Sequence, residues 1–421
     1  MPKLLKPNLN YYHQMGTSGK SYMNASPRLK VGVVSDEFFD LAFGRMGGFG
    51  WLAREVSLLF NANPEFGGEV LFLTGEKRGD KHDFETTAAG TRVLLNRWDG
   101  NRREYVRRLK AEQIDVLLTI DYRRSYRGPL RGLRRTSILM WVQDPRPPED
   151  IDKINGLRIP GGGDVKPLGV RPVDCTSMSR VVRTSRWTLR RIVWAAPLTE
   201  LGDKVEKTYG VRVRNLALLP YPLDLRVQEI RKSERPSVVF LGRLDPIKRP
   251  WVFSELARRF SEVEFLFLGQ AHFTGEGTWK PQNLPPNVRL TGHVDGQEKQ
   301  RLLSSAWVLV NTSIHEALPV SFIEALACET PILSCQNPGG LVSRYGIYAG
   351  RWDATGMEGL TSFEHGLKVL IGDDELRIQL GREGRAWVAA NHTREAFLNA
   401  FSRLCRELRT RNGLCAPVRH P

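Results

Sequence analysis

The chain reads as an α/β protein of two successive domains, each a parallel sheet covered on both faces by helices. Three observations carry that expectation. At 421 residues the chain exceeds what one ordinary core organises. Short apolar runs of strand length alternate with helix-patterned stretches along it, as in parallel sheets buried on both faces. A linker-like stretch, residues 219–224 followed by 231–236, divides the alternation into two runs of similar length. With 41% hydrophobic and 26% charged residues the composition is that of a soluble globular protein. No apolar run approaches the roughly 18 residues of a membrane span.

In the first run, residues 29–35 form a strand, followed by a glycine-rich turn over 44–50 and a helix over 51–60. Strands are expected at 69–74, 115–120 and 137–142, with an arginine-rich helix at 102–112. Later strands fall at 192–195 and 215–219, and the Pro- and Gly-rich stretch 145–169 reads as a loop. The second run has strands at 237–241, 264–268, 288–291, 307–311 and 331–334, with helices at 251–260, 297–304 and 321–328. Three further helices, 360–370, 374–390 and 393–408, close the chain. Ligands of such sheets bind at the carboxyl ends of the strands.

Two motifs fall at those ends. Strand 237–241 exits into Gly242, Arg243 and, five residues on, Lys248, two cations able to hold a diphosphate. About seventy residues later, His315-Glu316-Ala317-Leu318-Pro319-Val320 leads into a helix that carries Glu324, eight positions after Glu316. Carboxylates accept hydrogen bonds from sugar hydroxyls, and a helix start favours phosphate. Each motif alone has a bland reading: loop cations are solvated, and Glu324 could lie on an exposed helix face. Together they describe a nucleotide-sugar site. Departure of a nucleotide diphosphate needs a metal or fixed cations; the second run has no Asp-x-Asp pair at a strand end, which points to cations. Gly47-Gly48-Phe49-Gly50, between the first strand and helix, would let backbone N–H groups approach a phosphate.

The formal charge is +16, with 33 Lys+Arg against 22 Asp+Glu in residues 1–200 and 29 against 24 in the remainder. Arginines at 102, 103, 107, 108, 123, 124, 131, 134, 135 and from 180 to 191 concentrate the excess. Such a field suits an anionic surface or acceptor, its bland reading being a solvated face. It comes without any nucleic-acid module, so nucleic acid is not an expected partner. Five cysteines, odd in number and never in a CxxC pair, argue against a disulfide framework or zinc site and for a reducing compartment. Residues 1–28 contain no acid and no apolar h-region, and read as a disordered leader rather than a secretory signal. His293 reads as structural, and His272 as a possible contact for a base.

These residues resemble the family 4 retaining glycosyltransferases of the GT-B fold, two facing Rossmann-like domains with the nucleotide sugar held mainly by the second. The resemblance covers roughly residues 29–405 and is strongest over 237–340. It implies a first, acceptor-side domain at 29–222, a donor domain at 236–392, and a helix and tail at 393–421 that cross back. It implies that Arg243 and Lys248 hold the diphosphate, that Glu316 lies near the transferred sugar, and that Glu324 binds the ribose. The backbone of Ala317, Leu318, Pro319 and Val320 would lie beside phosphate and sugar, and Gly48 would approach the diphosphate. Two departures stand out. Where the family commonly has His-Asp after the strand at 137–142, this chain has Gln143-Asp144. Gln143 can hydrogen-bond a substrate hydroxyl but cannot take a proton, so electrostatic or base work would move to Asp144. Leu318-Pro319 replaces an aromatic-Gly pair, and proline removes a backbone donor.

The expectation is therefore a cytoplasmic, metal-independent, retaining glycosyltransferase without a cofactor, taking a nucleotide diphosphate sugar as donor and a hydroxyl acceptor in glycan, polysaccharide or glycolipid synthesis. Its basic face would dock peripherally on the anionic inner face of a membrane. The alternative is a non-catalytic GT-B-like binding or scaffold protein.

Overall fold

The computed structural model describes residues 29–37, 47–63, 70–73, 85–88, 91–95, 102–160, 170–173, 175–225, 230–271, 279–281 and 283–410. The first part of the chain runs β1 (Val31–Ser35), α1 (Gly48–Ala62), β2 (Val70–Leu73), β3 (Glu85–Ala88), β4 (Thr91–Leu95), α2 (Arg102–Ala111), β5 (Val116–Ile120). It continues α3 (Arg127–Gly132), β6 (Ser137–Trp141), α4 (Pro148–Asn155), α5 (Cys175–Trp187), β7 (Ile192–Ala196), α6 (Gly202–Tyr209), β8 (Ala217–Leu218). The second part runs β9 (Ser237–Leu241), α7 (Pro250–Arg258), β10 (Glu264–Leu268), β11 (Val288–Gly292), α8 (Gly296–Ser305), β12 (Val308–Asn311), α9 (Val320–Ala327). It ends β13 (Ile332–Ser334), α10 (Leu341–Tyr345), β14 (Gly346–Tyr348), α11 (Leu360–Gly372), α12 (Asp374–Asn391), α13 (Arg394–Thr410).

The strands form two sheets. The first has the order β3-β4-β2-β1-β5-β6-β7-β8 and the second β11-β10-β9-β12-β13-β14. All pairings described are parallel except β3 with β4. Every residue of β1, β5 and β6 is buried, which is why their sequences run apolar without alternation. The second sheet packs through interlocked rings of Phe240, Phe253, Phe265 and Phe267, with centroids 4.7–5.6 Å apart. α13 returns to the first sheet: Phe401 packs on Phe60 of α1 at 4.9 Å and Phe397 on Trp141 of β6 at 5.4 Å. Two facing α/β domains and a returning helix constitute the GT-B architecture.

Several local expectations need correction. The stretch 145–169 is not all loop, because it contains α4. Pro148 opens that helix with a preset φ, and Glu149 and Asp150 complement the dipole of its first turn. Ile154 and the following Leu157 are buried in the second domain's core with Val238, Phe240 and Phe253, so this segment bridges the domains. The strand expected at 215–219 shrinks to two residues. Leu219, Tyr221 and Leu223, expected in a linker, are buried, and Trp141 Nε1 donates to the Leu219 carbonyl at 2.9 Å. The hairpin β3–β4, the short β14, and helices α3, α5, α6 and α10 were not expected from the sequence. The leader at 1–28, residues 44–46 of the glycine-rich turn, and His272 lie outside the described residues.

Candidate active site

One cleft between the domains is lined by the loops leaving β1, β5 and β6 on one side and β9, β10, β11 and β12 on the other. The residues named from the two motifs, the glycine-rich turn and the β6 exit meet there: Gly48, Gln143, Asp144, Arg243, Lys248, Glu316, Ala317, Leu318, Pro319, Val320 and Glu324.

The two motifs of the second domain are held in register by a residue the sequence reading passed over. Arg249 follows Lys248 in a left-handed conformation, φ 47°, and its guanidinium is buried. It donates to the carbonyls of Thr312 at 2.7 Å, Ser313 at 3.3 Å and Trp352 at 2.7 Å. Thr312 Oγ1 in turn donates to the Lys248 carbonyl at 2.7 Å. These bonds tie the β9 exit loop to the β12 exit loop, and Lys248 Nζ thereby reaches Glu316 Oε1 at 2.5 Å. Ser313 Oγ (2.6 Å) and Asn311 Nδ2 (3.2 Å) donate to the same oxygen. Arg243 is held by Asp245, Nε to Oδ2 at 3.2 Å. Gly269, at the end of β10, has no room for a side chain: a Cβ would stand 2.0 Å from the Gly242 carbonyl oxygen. That close approach shapes the loop that presents Arg243.

Pro319 occupies the N-cap of α9, so the proline's missing N–H falls ahead of the helix, and Val320 and Ser321 begin the turn that borders the cleft. Tyr221 of the interdomain stretch donates to the Leu318 carbonyl at 2.7 Å and steadies the loop ahead of it. Gly48 faces α9 across the cleft, where a Cβ would touch Val320 Cγ2 at 3.9 Å. The phosphate reading of the α1 start needs adjustment. The Glu37 carboxylate already accepts from the N–H groups of Gly47 (2.8 Å) and Gly50 (3.3 Å), so an internal anion meets part of the dipole.

Glu324 sits in an ionic chain that crosses the cleft. Lys299 Nζ lies 2.8 Å from Glu324 and 3.3 Å from Asp295, and Arg54 of α1 binds Asp295 at 2.6 Å. Burial pushes the Lys299 ammonium down, but Glu324 and Asp295 outweigh it and raise its pKa. Burial pushes Asp295 up, and Arg54 and Lys299 hold it well below the usual carboxylate range.

Gln143 is buried; its Nε2 donates to the Trp141 carbonyl at 3.4 Å, and its Oε1 has no protein partner. Asp144 is fully committed. Its Oδ1 meets His315 Nε2 at 2.7 Å, and its Oδ2 accepts from Arg146 Nε at 2.9 Å. Burial raises its pKa, but Arg146 and His315 outweigh that and hold the carboxyl well below its ordinary value. Of the electrostatic or base work expected at Asp144, the base half does not fit: the carboxylate is held in its charged form and acts as an ionic anchor. His315, Lys299, Arg146, Tyr221 and Arg123, which lies over the Phe49 ring at 5.1 Å, are cleft residues that local patterns did not single out. His293, read as structural, is exposed on the cleft wall.

The fold and this cleft define a two-domain GT-B protein whose second-domain cleft wall carries both cations and carboxylates. Residues 224–344, which include Arg243, Lys248, Glu316 and Glu324, match the family described as glycosyl transferases group 1. The chain is similar to sucrose-phosphate synthase from Thermosynechococcus elongatus, at 16% identity over 90% of this chain and 99% of that one, TM-score 0.64. It is similar to Anabaena HepE, solved in complex with UDP-glucose, at 13% identity over 90% and 100% of the two chains, TM-score 0.62. The lipopolysaccharide outer core galactosyltransferase WaaB aligns at 13% identity over 90% and 99%, TM-score 0.57. At these identities the likeness is one of fold.

Proposed function

We propose that this protein is a retaining, metal-independent glycosyltransferase that moves a sugar from a nucleotide diphosphate sugar to an acceptor hydroxyl in glycan, polysaccharide or glycolipid synthesis. The carrying observation is the convergence of Arg243, Lys248, the α9 start, Glu316 and Glu324 on one wall of the cleft. In this reading the bond between the anomeric carbon and the β-phosphate oxygen breaks while the acceptor oxygen bonds to that carbon on the same face. The acceptor proton passes to the departing phosphate oxygen. Arg243 and Lys248 offset the charge that develops on the leaving group, Glu316 aligns the sugar, and Glu324 holds the ribose. The group 1 match over 224–344 supports this, as does the fold shared with HepE, a protein solved with UDP-glucose. The test is turnover of UDP- and GDP-linked sugars with a panel of acceptors, with and without EDTA. Undiminished turnover in EDTA is expected. Loss that Mn²⁺ or Mg²⁺ restores would overturn the metal-independent mechanism, and binding without any turnover would favour a scaffold.

The acceptor side is read as lying at the anionic inner face of a membrane. Residues 122–143 and 175–199 contain eleven arginines and no Asp or Glu. Arg124, Arg134, Arg135, Arg180, Arg183 and Arg186 are exposed, and the end of α5 presents Trp187 and Leu189 at 85% and 81% exposure. Arginines beside an exposed indole suit an anionic bilayer interface. The α2 face contributes less than its sequence suggests, because Glu104 accepts from both Arg107 (2.8 Å) and Arg108 (3.0 Å). Co-sedimentation with phosphatidylglycerol vesicles at low salt is expected, weakened by salt and absent with phosphatidylcholine. Binding indifferent to lipid charge and salt would remove the membrane reading. Among the described residues no helix is long and apolar enough to cross a membrane.

A further inference from the structure

His315 stands in the loop after β12, buried, immediately before Glu316. Both its ring nitrogens face carboxylates from across the cleft. Nε2 lies 2.7 Å from Asp144 Oδ1 and Nδ1 lies 3.3 Å from Asp150 Oδ2. An ionised carboxylate only accepts, and a neutral imidazole carries a single N–H. Both contacts are hydrogen bonds only when the ring holds two protons. Asp150 itself accepts from Lys204 Nζ of α6 at 2.8 Å and from Arg351 Nη2, after β14, at 3.0 Å. Asp144 and Asp150 lie on one segment, the exit of β6 and the first turn of α4, while His315 and Arg351 belong to the second domain.

We propose that His315 is a positioning residue for the transfer: as an imidazolium it clamps the β6–α4 segment, through Asp144 and Asp150, to the loop that carries Glu316. It thereby sets the distance across the cleft at its reacting end. The inference rests on the glycosyltransferase reading and deepens it. It also gives Asp144 a task compatible with its low basicity, and it places a histidine charge in the cleft of a chain whose residue 143 is glutamine.

The charged groups around the ring are Asp144 and Asp150 in contact, Arg146, Lys204 and Arg351 behind them, and Glu316 with Lys248 on its own side. Burial favours the neutral ring, but Asp144 and Asp150 outweigh burial and Arg146, so the pKa rises above the ordinary 6.5. A raised folded-state value fixes the sign. The clamp contributes fully below pH 6.5 and is lost as pH climbs through the folded value. Beyond it the ring keeps one N–H, and the longer contact, to Asp150, gives way.

The test uses the full chain and two readouts: the ¹⁵N-histidine resonances against pH, with His315 assigned by its loss in His315→Gln, and kcat against pH with UDP-glucose or whichever nucleotide sugar is turned over. Wild-type kcat is expected to fall on the alkaline side as the His315 resonance titrates. His315→Gln should lower kcat about tenfold to hundredfold at acid to neutral pH, the scale of a misplacement near 1 Å, and abolish that alkaline limb. Its donor KM should stay within about twofold, as for an interaction that acts on the reacting geometry rather than on binding. Asp150→Asn, which keeps the shape and removes one facing charge, should move both limb and resonance to lower pH. A His315→Gln variant with the wild-type rate and limb, or an Asp150→Asn profile that superimposes on wild type, overturns the proposal. Should His315→Gln fail to fold, the Asp150→Asn shift decides alone. Absence of turnover in the wild type would instead sink the glycosyltransferase reading, and the resonance titration would still show whether the clamp exists.

Discussion

Lys248→Ala should lower kcat by about 10²–10³-fold, the cost typical of losing one preorganised group that stabilises developing charge. In the proposed reaction the chemical step leaves a nucleotide diphosphate whose charge grows as the glycosidic bond opens. Lys248 would face that charge in this reaction; its ammonium lies 2.5 Å from Glu316 and its backbone is fixed by Thr312 and the adjoining Arg249. The loop fixes the lysine's backbone independently of its side-chain ion pair with Glu316. Removing the side chain therefore leaves the rivet between the two exit loops in place, and Glu316 keeps Ser313 and Asn311 as donors. The thermal unfolding midpoint should move little while the rate collapses. Steady-state kinetics at saturating donor, with a melting curve as control, check this. A variant that turns over at the wild-type rate removes Lys248 from the chemistry.

The second-domain wall of the cleft was legible because its signals are local. Two cations five residues apart after a buried strand, and two glutamates eight apart across a helix start, are patterns that short-range geometry imposes. Parallel strands buried on both faces likewise announce themselves as apolar runs, so β1, β5, β6, β9, β10 and β12 were found within a residue or two. The ionic contacts across the cleft were not legible. His315 and Asp144 are 171 positions apart, and Arg54 and Asp295 are 241 apart. Such pairs are products of domain docking, and no window of sequence contains both partners.

Arg249 and α4 were missed for a different reason. An arginine beside Lys248 looks like one more loop cation, and only its left-handed backbone and the surrounding carbonyls reveal a buried structural role. The proline-rich stretch before α4 suggested irregular chain, yet proline at the first helical position starts a helix as readily as it ends one. Asp144 is a mixed case. Its position after β6 suggested electrostatic or base work, and the bonds it makes to His315 and Arg146 stabilise its charged form, which fits the first and not the second.

Glu324→Ala should weaken nucleotide binding by about 1.5–3 kcal/mol, the range for losing hydrogen bonds to a charged group. That corresponds to roughly 10- to 150-fold in Kd. The structure sharpens what must be compared. Glu324 is also the partner of Lys299, so its removal leaves that partly buried ammonium with Asp295, 3.3 Å away, as its remaining ionic contact in the chain to Arg54. Part of any loss could then come from a shifted Lys299 rather than from the missing ribose contact. Glu324→Gln separates the two, since it retains an acceptor oxygen for Lys299 and for a hydroxyl while giving up the charge. Ribose binding predicts a graded series, with glutamine between wild type and alanine, and a similar series for a nucleoside diphosphate lacking the sugar. Calorimetry with UDP and GDP measures both. If Glu324→Ala binds the preferred nucleotide as tightly as wild type, the ribose assignment is wrong, and Glu324 serves only to hold Lys299 at the domain interface.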